Sequence, residues 1–361
     1  MNDSSPAEAS REGSPRIIGV GVANPPTSYR QEEMLGLLGI TDPRIRSLFL
    51  SGSIQRRSLC LPSTGTDGSV GTETQGDLLR KHRTVGVEMG VQAVRACLKN
   101  ANAEASDVGY LCCISSTGWL TPGFSALLIP ELGIPVSSGR LDVTGMGCNA
   151  GLNGLGPVAN WANANPGQLA IMVCIEVCSA AYVADGTMRT AVVNSLFGDG
   201  AAAVAVTAAD PHGRPGPAML RFASCLIPGA IDAMRYDWDD QAGKFSFYLD
   251  RDIPYTVGAH SEEVVDRLLG GTGLRRSDIT HWLIHSGGKK VIDAIVVNLG
   301  LTRHDLRHTT GVLRDFGNLS SGSFLFSYER LADEGVIHPG DYGLFMTMGP
   351  GSTIETALVQ W

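Results

Sequence analysis

The chain has 361 residues, 43% of them apolar and 18% charged, with a formal net charge of −8. That length suits two domain-sized units or one large duplicated fold, and the acidic balance argues against a nucleic-acid binder, which carries a basic face. No uninterrupted apolar run approaches the roughly 20 residues that span a bilayer, and the polar start MNDSSPAEASREGSP lacks the apolar core of a secretory signal. Residues 1–15 are therefore expected to be a mobile tail, and the chain to be cytoplasmic with no membrane attachment. The eight cysteines are Cys60, Cys97, Cys112, Cys113, Cys148, Cys174, Cys178 and Cys225. Without an export signal they read as reduced thiols. Cys174 and Cys178 are four apart, but no second Cys or His pair completes a zinc site, so no metal is expected.

In chain order, IIGVGVANP (17–25) reads as a strand ending in a Pro turn. Residues 83–102 read as a helix, with Val85, Met89, Val91, Val94 and Leu98 near helical spacing. YLCCISST (110–117) is a buried strand, and FSALLIPELGI (124–134) a short helix cut near its Pro. QLAIMVCIEV (168–177) is a continuous apolar strand, as expected in a sheet covered on both faces. FGDGAAAVAVTA (197–208) is a turn and then a strand. The second half repeats the rhythm: a helix at 257–270, a strand at 281–288, helices at 288–299 and 321–334, and strands at 342–349 and 352–361. Such alternation implies an α/β fold. The strand–turn–helix around Cys148 is echoed near Gly317, in element order rather than in sequence. The expected halves are 16–209 and 210–361.

The chemistry concentrates at three corners. Cys148 lies in GMGCNAGLNG (145–154), among Gly145, Gly147 and Gly151, just before a helical run. Backbone amides at such a corner face a ligand, and a helix N-terminus or an imidazolium stabilises a thiolate. His285 ends an apolar strand and is followed by Ser286-Gly287-Gly288, and Asn318 sits in FGNLSSGS at the start of a helix. A nucleophilic Cys needs a base, an orienting group and oxyanion donors, which this trio supplies. Spacing alone leaves open an inert buried thiol and a strand-end His that merely caps. FGDGAAA lacks the spacing of a Rossmann or P-loop fingerprint, so no cofactor is expected.

GMGCNAGLNGL, LFGDGAAAVAV, WLIHSGGKKVID, DFGNLSSGS and MGPGSTIE, in that order, resemble the type III polyketide synthases of the thiolase superfamily over roughly residues 16–361. The resemblance implies a thiolase fold, a duplicated five-layered αβαβα architecture. It implies Cys148 as the nucleophile that carries the acyl chain, His285 and Asn318 as the decarboxylation and oxyanion pocket, and Phe197 and Phe247 as gatekeepers. Ser116, Thr121, Ala181, Ser320 and Met348 are expected at the substrate. Arg44, Arg46, Arg56 and Arg57 cluster where the family binds CoA phosphates, though they read equally as a solvated helix face; Arg56 and Arg57 are the expected CoA contacts. Malonyl-CoA is the implied substrate and CoA a product, in a homodimer touching through residues 110–117 and the loop that follows.

The chain departs from the family at several points. Ser286 replaces the usual Pro after the His, and Met348 replaces a Phe before Gly-Pro-Gly. Thr121 stands where plant relatives carry a Met, and Ala181 where many carry Thr. A bulky aromatic starter is not supported. The runs SAAYVADGTMRTAVVNSLFGDG, AIDAMRYDWD and RHTTGVLRDFGNLSSGSFLFSYERL are similar to the type III synthases of actinobacterial glycopeptide-antibiotic pathways. Those condense four malonyl-CoA units into 3,5-dihydroxyphenylacetyl-CoA. Alternatives are a type III synthase making another dihydroxybenzenoid or a pyrone, or an initiating ketoacyl-acyl-carrier-protein synthase. The latter would carry an HQAN-type run where this chain has HSGGKK. A silent thiolase-fold subunit would be expected to lose the nucleophile.

Overall fold

The computed structural model describes residues 13–65 and 70–361. The first half opens with β1 (Arg16–Ala23), then a small cap of β2 (Ser28–Arg30), α1 (Gln31–Leu37), α2 (Pro43–Leu50) and β3 (Arg56–Ser58). It continues with α3 (Gln75–Asn100), β4 (Val108–Ile114), α4 (Phe124–Leu132), β5 (Gly139–Val143), α5 (Ala150–Ala164), β6 (Leu169–Glu176), α6 (Met188–Leu196) and β7 (Gly200–Thr207). The second half holds β8 (Ala218–Leu226), a hairpin of β9 (Met234–Asp239) and β10 (Lys244–Leu249), α7 (Ile253–Leu269) and β11 (Ile279–Ile284). It closes with α8 (Lys289–Leu299), α9 (Arg307–Phe316), α10 (Ser323–Glu334), β12 (Tyr342–Gly349) and β13 (Thr353–Gln360).

Nine strands run in the order β11-β12-β13-β8-β1-β7-β6-β4-β5. Read outward from the seam, β1-β7-β6-β4 and β8-β13-β12-β11 show the same pairing: antiparallel, antiparallel, parallel. Within the sheet, β1 and β8 pair antiparallel at Arg16 and Ala218. α3 covers one outer face, against β1, β7 and β6, and α7 the other, against β8 and β13. α5 and α10 lie between, each touching strands of both halves. The result is the duplicated five-layered thiolase architecture.

Strand composition dictates this layering. In β6, Leu169, Ile171, Val173 and Ile175 join the cluster under α3 and α4. The intervening Ala170, Met172 and Cys174 join the central cluster with α5 and α10. A period of two with both phases apolar leaves no face for water.

Boundaries differ from expectation where capping overrides periodicity. α3 starts at Gln75 because Thr74 accepts the Asp77 N–H at 3.2 Å and Asp77 accepts the Thr74 N–H at 2.9 Å, a capping box. Pro130 does not cut α4, which runs on to Leu132 and ends at Gly133, φ 73°. Of the expected tail, residues 1–12 lie outside the described residues. Pro15 is buried, and its carbonyl accepts the Met219 N–H at 2.8 Å. Among the described residues no helix is long and apolar enough to cross a membrane.

Candidate active site

β5 delivers the chain into a tight turn, Gly147–Asn149, that leads directly into α5. Gly145 (φ 78°) and Gly147 (φ 68°) occupy the left-handed region. A Cβ on Gly147 would also lie 2.3 Å from Pro350 Cδ. Cys148 sits at the crest of this turn, 6% exposed. Burial pushes its thiol up to about 12, while hydrogen bonding from the Ser320 and Asn318 side chains pulls the other way. The expected stabilised thiolate is thus opposed by desolvation, which outweighs the donors here.

His285 follows β11 and continues its pairing, its amide donating to the Met346 carbonyl at 2.8 Å. Its Nδ1 is hydrogen-bonded to Ser323 Oγ. Burial pushes the imidazole down to about 3. Asn318 is locked to the turn after α6: its amide donates to the Leu196 carbonyl and its carbonyl accepts the Gly198 N–H, both at 2.9 Å. Asn318 Oδ1 accepts the Ser320 N–H at 2.8 Å, which leaves Nδ2 as the side chain's donor. Ser320, at φ 49°, holds a conformation unusual for a side-chain-bearing residue.

A cavity of about 410 Å³ opens over Cys148. Of the expected substrate contacts, Phe197, Phe247, Ser116, Ala181 and Ser320 line it. Phe197 and Phe247 meet edge to face, ring centroids 5.8 Å apart. His285 and Asn318 are buried and outside the lining. Thr121 is exposed, and Met348 is buried in the hydrophobic cluster that also holds Cys148, Phe197 and Phe247; neither is part of the cavity lining.

Arg57 is a clear correction. It is 0% exposed, and its guanidinium donates to Gln31 Oε1 (2.8 and 3.1 Å), the Tyr182 hydroxyl (2.6 Å) and the Phe197 carbonyl (2.7 Å). It braces the Phe197 backbone and has no surface to offer a CoA phosphate. Arg44, Arg46 and Arg56 are exposed.

Sequence reasoning missed a second wall. The β9–β10 hairpin contributes Met234, Arg235, Tyr236 and Phe245 to the cavity beside Phe247. Gln75, at the start of α3, accepts the Phe245 N–H at 3.0 Å and pins the hairpin. Tyr236 lies opposite Phe247 in register, ring centroids 5.0 Å apart. Tyr236 as a whole is 41% exposed, but its hydroxyl end is desolvated, and that together with the nearby Cys178, Glu176 and Cys148 holds the hydroxyl above the usual phenol range. The alternation in MRYDWD and KFSFYL around a Gly-containing turn was the available signal. Glu176 was also missed. It ends β6, accepts the Ser116 N–H at 3.0 Å and the Ser321 N–H at 3.4 Å, and burial pushes its carboxyl up to about 7.

Comparison with known proteins places this geometry. Residues 61–211 match the N-terminal domain of chalcone and stilbene synthases, and residues 224–361 match the C-terminal domain. The chain belongs to the chalcone and stilbene synthase family, the type III polyketide synthases. It is 66% identical over 351 residues to the 3,5-dihydroxyphenylacetyl-CoA synthase of Streptomyces toyocaensis, covering 96% of this chain and 90% of that one. It is 65% identical over 347 residues to the enzyme of the same name from Amycolatopsis balhimycina, covering 96% and 93%. The crystal structure of 1,3,6,8-tetrahydroxynaphthalene synthase from Streptomyces coelicolor A3(2), a bacterial type III polyketide synthase, superposes with a TM-score of 0.87 at 27% identity, covering 96% of this chain and 99% of that one.

Proposed function

We propose that this chain condenses four malonyl-CoA units into 3,5-dihydroxyphenylacetyl-CoA. The observation that carries the reading is the 66% identity, across 96% of the chain, to an enzyme of that name. The cavity over a buried Cys148 supports it.

In this reading Cys148 Sγ attacks the thioester carbonyl of the starter. Its proton passes to His285, and CoA leaves as a thiolate that protonates from solvent. An extender malonyl group then loses its carboxylate as carbon dioxide, and the electron pair of the broken C–C bond becomes an enolate. The His285 imidazolium and Asn318 Nδ2 donate to the enolate oxygen; fixed donors of this kind act strongly where water is excluded. The malonyl carboxylate supplies the countercharge that lets a buried imidazole hold its proton. The enolate carbon attacks the Cys148 thioester, the C–S bond breaks, and Cys148 takes its proton back from His285. The chain, two carbons longer and now on CoA, returns to Cys148 for the next round. After three extensions the starter's own carboxylate is also lost as carbon dioxide, leaving eight carbons; the eighth closes onto the third, water is lost, and the ring becomes aromatic with CoA still attached.

Phe197 and Phe247 gate the cavity, with Ser116, Ala181 and Ser320 along its wall. Exposed Arg44, Arg46 and Arg56 are the candidates for CoA phosphates. The enzyme works in the cytoplasm as a homodimer, with the loop after β4, where Trp119 is exposed, at the contact. The test is mass spectrometry of products from malonyl-CoA alone, with and without acyl carrier protein. 3,5-Dihydroxyphenylacetyl-CoA without carrier is expected. Strict dependence on carrier protein would assign the chain to the initiating ketoacyl synthases instead.

A further inference from the structure

His285 has two ring nitrogens, and its neighbours decide which one carries the proton. Nδ1 meets Ser323 Oγ at the start of α10. That oxygen has two further contacts: the Ser286 N–H at 3.4 Å and the Ser320 carbonyl at 3.2 Å. An amide N–H only donates and a carbonyl only accepts, and Ser323 has a single hydroxyl proton. Directed at the Ser320 carbonyl, that proton leaves the oxygen lone pairs to accept from Ser286 and from an Nδ1–H, so all three contacts are satisfied. Directed at Nδ1, it sets two oxygens lone pair to lone pair across 3.2 Å, in a turn where Ser286, Ser320 and Ser323 are all buried. The Ser320 carbonyl keeps the Ser323 N–H in either case, so the cost is the repulsion of the two buried oxygens and the loss of one hydrogen bond.

Two neighbours reinforce the arrangement. Ser286 also donates its hydroxyl to the Gly317 carbonyl at 3.3 Å, tying the His285 turn to the one that carries Asn318. A proline at 286 would have neither the N–H nor the hydroxyl. Gly287 keeps the other edge of the ring clear, because a Cβ there would stand 3.0 Å from His285 Cδ2 and 3.3 Å from Nε2.

We propose that Ser323 is a positioning residue that holds neutral His285 in its Nδ1–H form, so that Nε2 is the bare, basic nitrogen. The proposal rests on reading Cys148 as the acylated nucleophile. Its consequence is directional. Nε2 takes the thiol proton as the Sγ–carbon bond forms, and returns that proton when Cys148 leaves as a thiolate. Throughout, Nδ1–H stays on Ser323, so the ring does not turn between steps.

The test has two arms. In enzyme carrying 15N-histidine, long-range proton–nitrogen correlation reads the tautomer directly, with His285→Gln used only to assign the signal. A protonated Nδ1 and a bare Nε2 are expected in the free wild-type enzyme; a protonated Nε2 overturns the proposal. In the second arm, Ser323→Ala is expected to slow acylation of Cys148 by between about tenfold and a hundredfold, short of the full contribution of a general base. KM for malonyl-CoA stays unchanged, and Ser323→Thr recovers most of the rate. Acylation at the wild-type rate in Ser323→Ala contradicts the proposal. The spectroscopic arm needs no substrate, so a wild-type enzyme that ignores malonyl-CoA would sink the polyketide reading while leaving the tautomer independently decided.

Discussion

Burial pushes the Cys148 thiol up to about 12 and the His285 imidazole down to about 3, so each group is driven towards its neutral form in the free enzyme. With the thiol pKa raised, the thiolate fraction is small at pH 7 and grows about tenfold per pH unit until that pKa is reached. Iodoacetamide alkylation of Cys148 is therefore expected to keep climbing through pH 9. A plateau already reached at pH 6 would show that a thiolate–imidazolium pair forms without substrate. Cys148→Ala is expected to abolish the covalent acyl adduct seen by intact-protein mass spectrometry; a persisting adduct would move the nucleophile elsewhere. Cys174, buried in the central cluster and outside the cavity, should tolerate Ala at a cost of about 1 kcal/mol, with the adduct retained. Asn318 separates two steps. With Oδ1 held by the Ser320 N–H, its remaining donor is the one the proposed mechanism assigns to the enolate, so Asn318→Ala should slow malonyl decarboxylation by about a hundredfold and acylation much less. Equal losses in both steps would make Asn318 structural.

At the level of elements, the cavity is closed by a hairpin outside the nine-stranded sheet, and that hairpin is the element the sequence showed least clearly. β6 and β7 were legible because both phases of their alternation are apolar and both faces are buried. β9 alternates with charged residues, carries exposed Tyr236 and Trp238, and pairs only with β10, so it lacks the apolar run that marks a sheet interior. Tyr236→Phe keeps the ring against Phe247 and removes only the hydroxyl that points among cavity groups. It is expected to leave Cys148 acylation intact and to raise the share of open-chain or lactone by-products; an unchanged product profile would make Tyr236 a wall residue only. The cap shows a different limit. The charge of Arg57 is plain in the sequence, but its partners Gln31, Tyr182 and Phe197 stand 26, 125 and 140 residues away. Arg57→Met leaves Gln31 Oε1 without its two donors, while the Tyr182 hydroxyl still donates to the Phe197 carbonyl at 2.5 Å, so a loss of about 1–3 kcal/mol is expected in denaturant melts. Arg56→Met, at the surface, is expected to change stability by less than about 0.5 kcal/mol and to raise KM for malonyl-CoA. A stable Arg57→Met with a raised KM would restore Arg57 as a CoA contact.

Across the whole molecule, duplication is what assembles the site. Cys148 leads into α5 and Asn318 lies just before α10, the two helices of the central layer, and His285 follows β11 of the second half. The order of strands and helices carried that duplication into view, and the glycine corners marked where the chain turns towards the cavity. The cavity's volume and its second wall were not readable, because they depend on contacts between α3, the loop after β4 and the hairpin. The central claim is the path from malonyl units to one ring, and isotopic labelling tests it most directly. With uniformly 13C-labelled malonyl-CoA as the only substrate, carbon NMR is expected to show all eight carbons labelled. The aromatic ring should carry two hydroxyls placed meta to each other and a CH₂–CO–S–CoA arm, the pattern left by closure of the eighth carbon onto the third. A lactone, a ring closed between other carbons, or a strict need for an acetyl or longer starter would contradict the account.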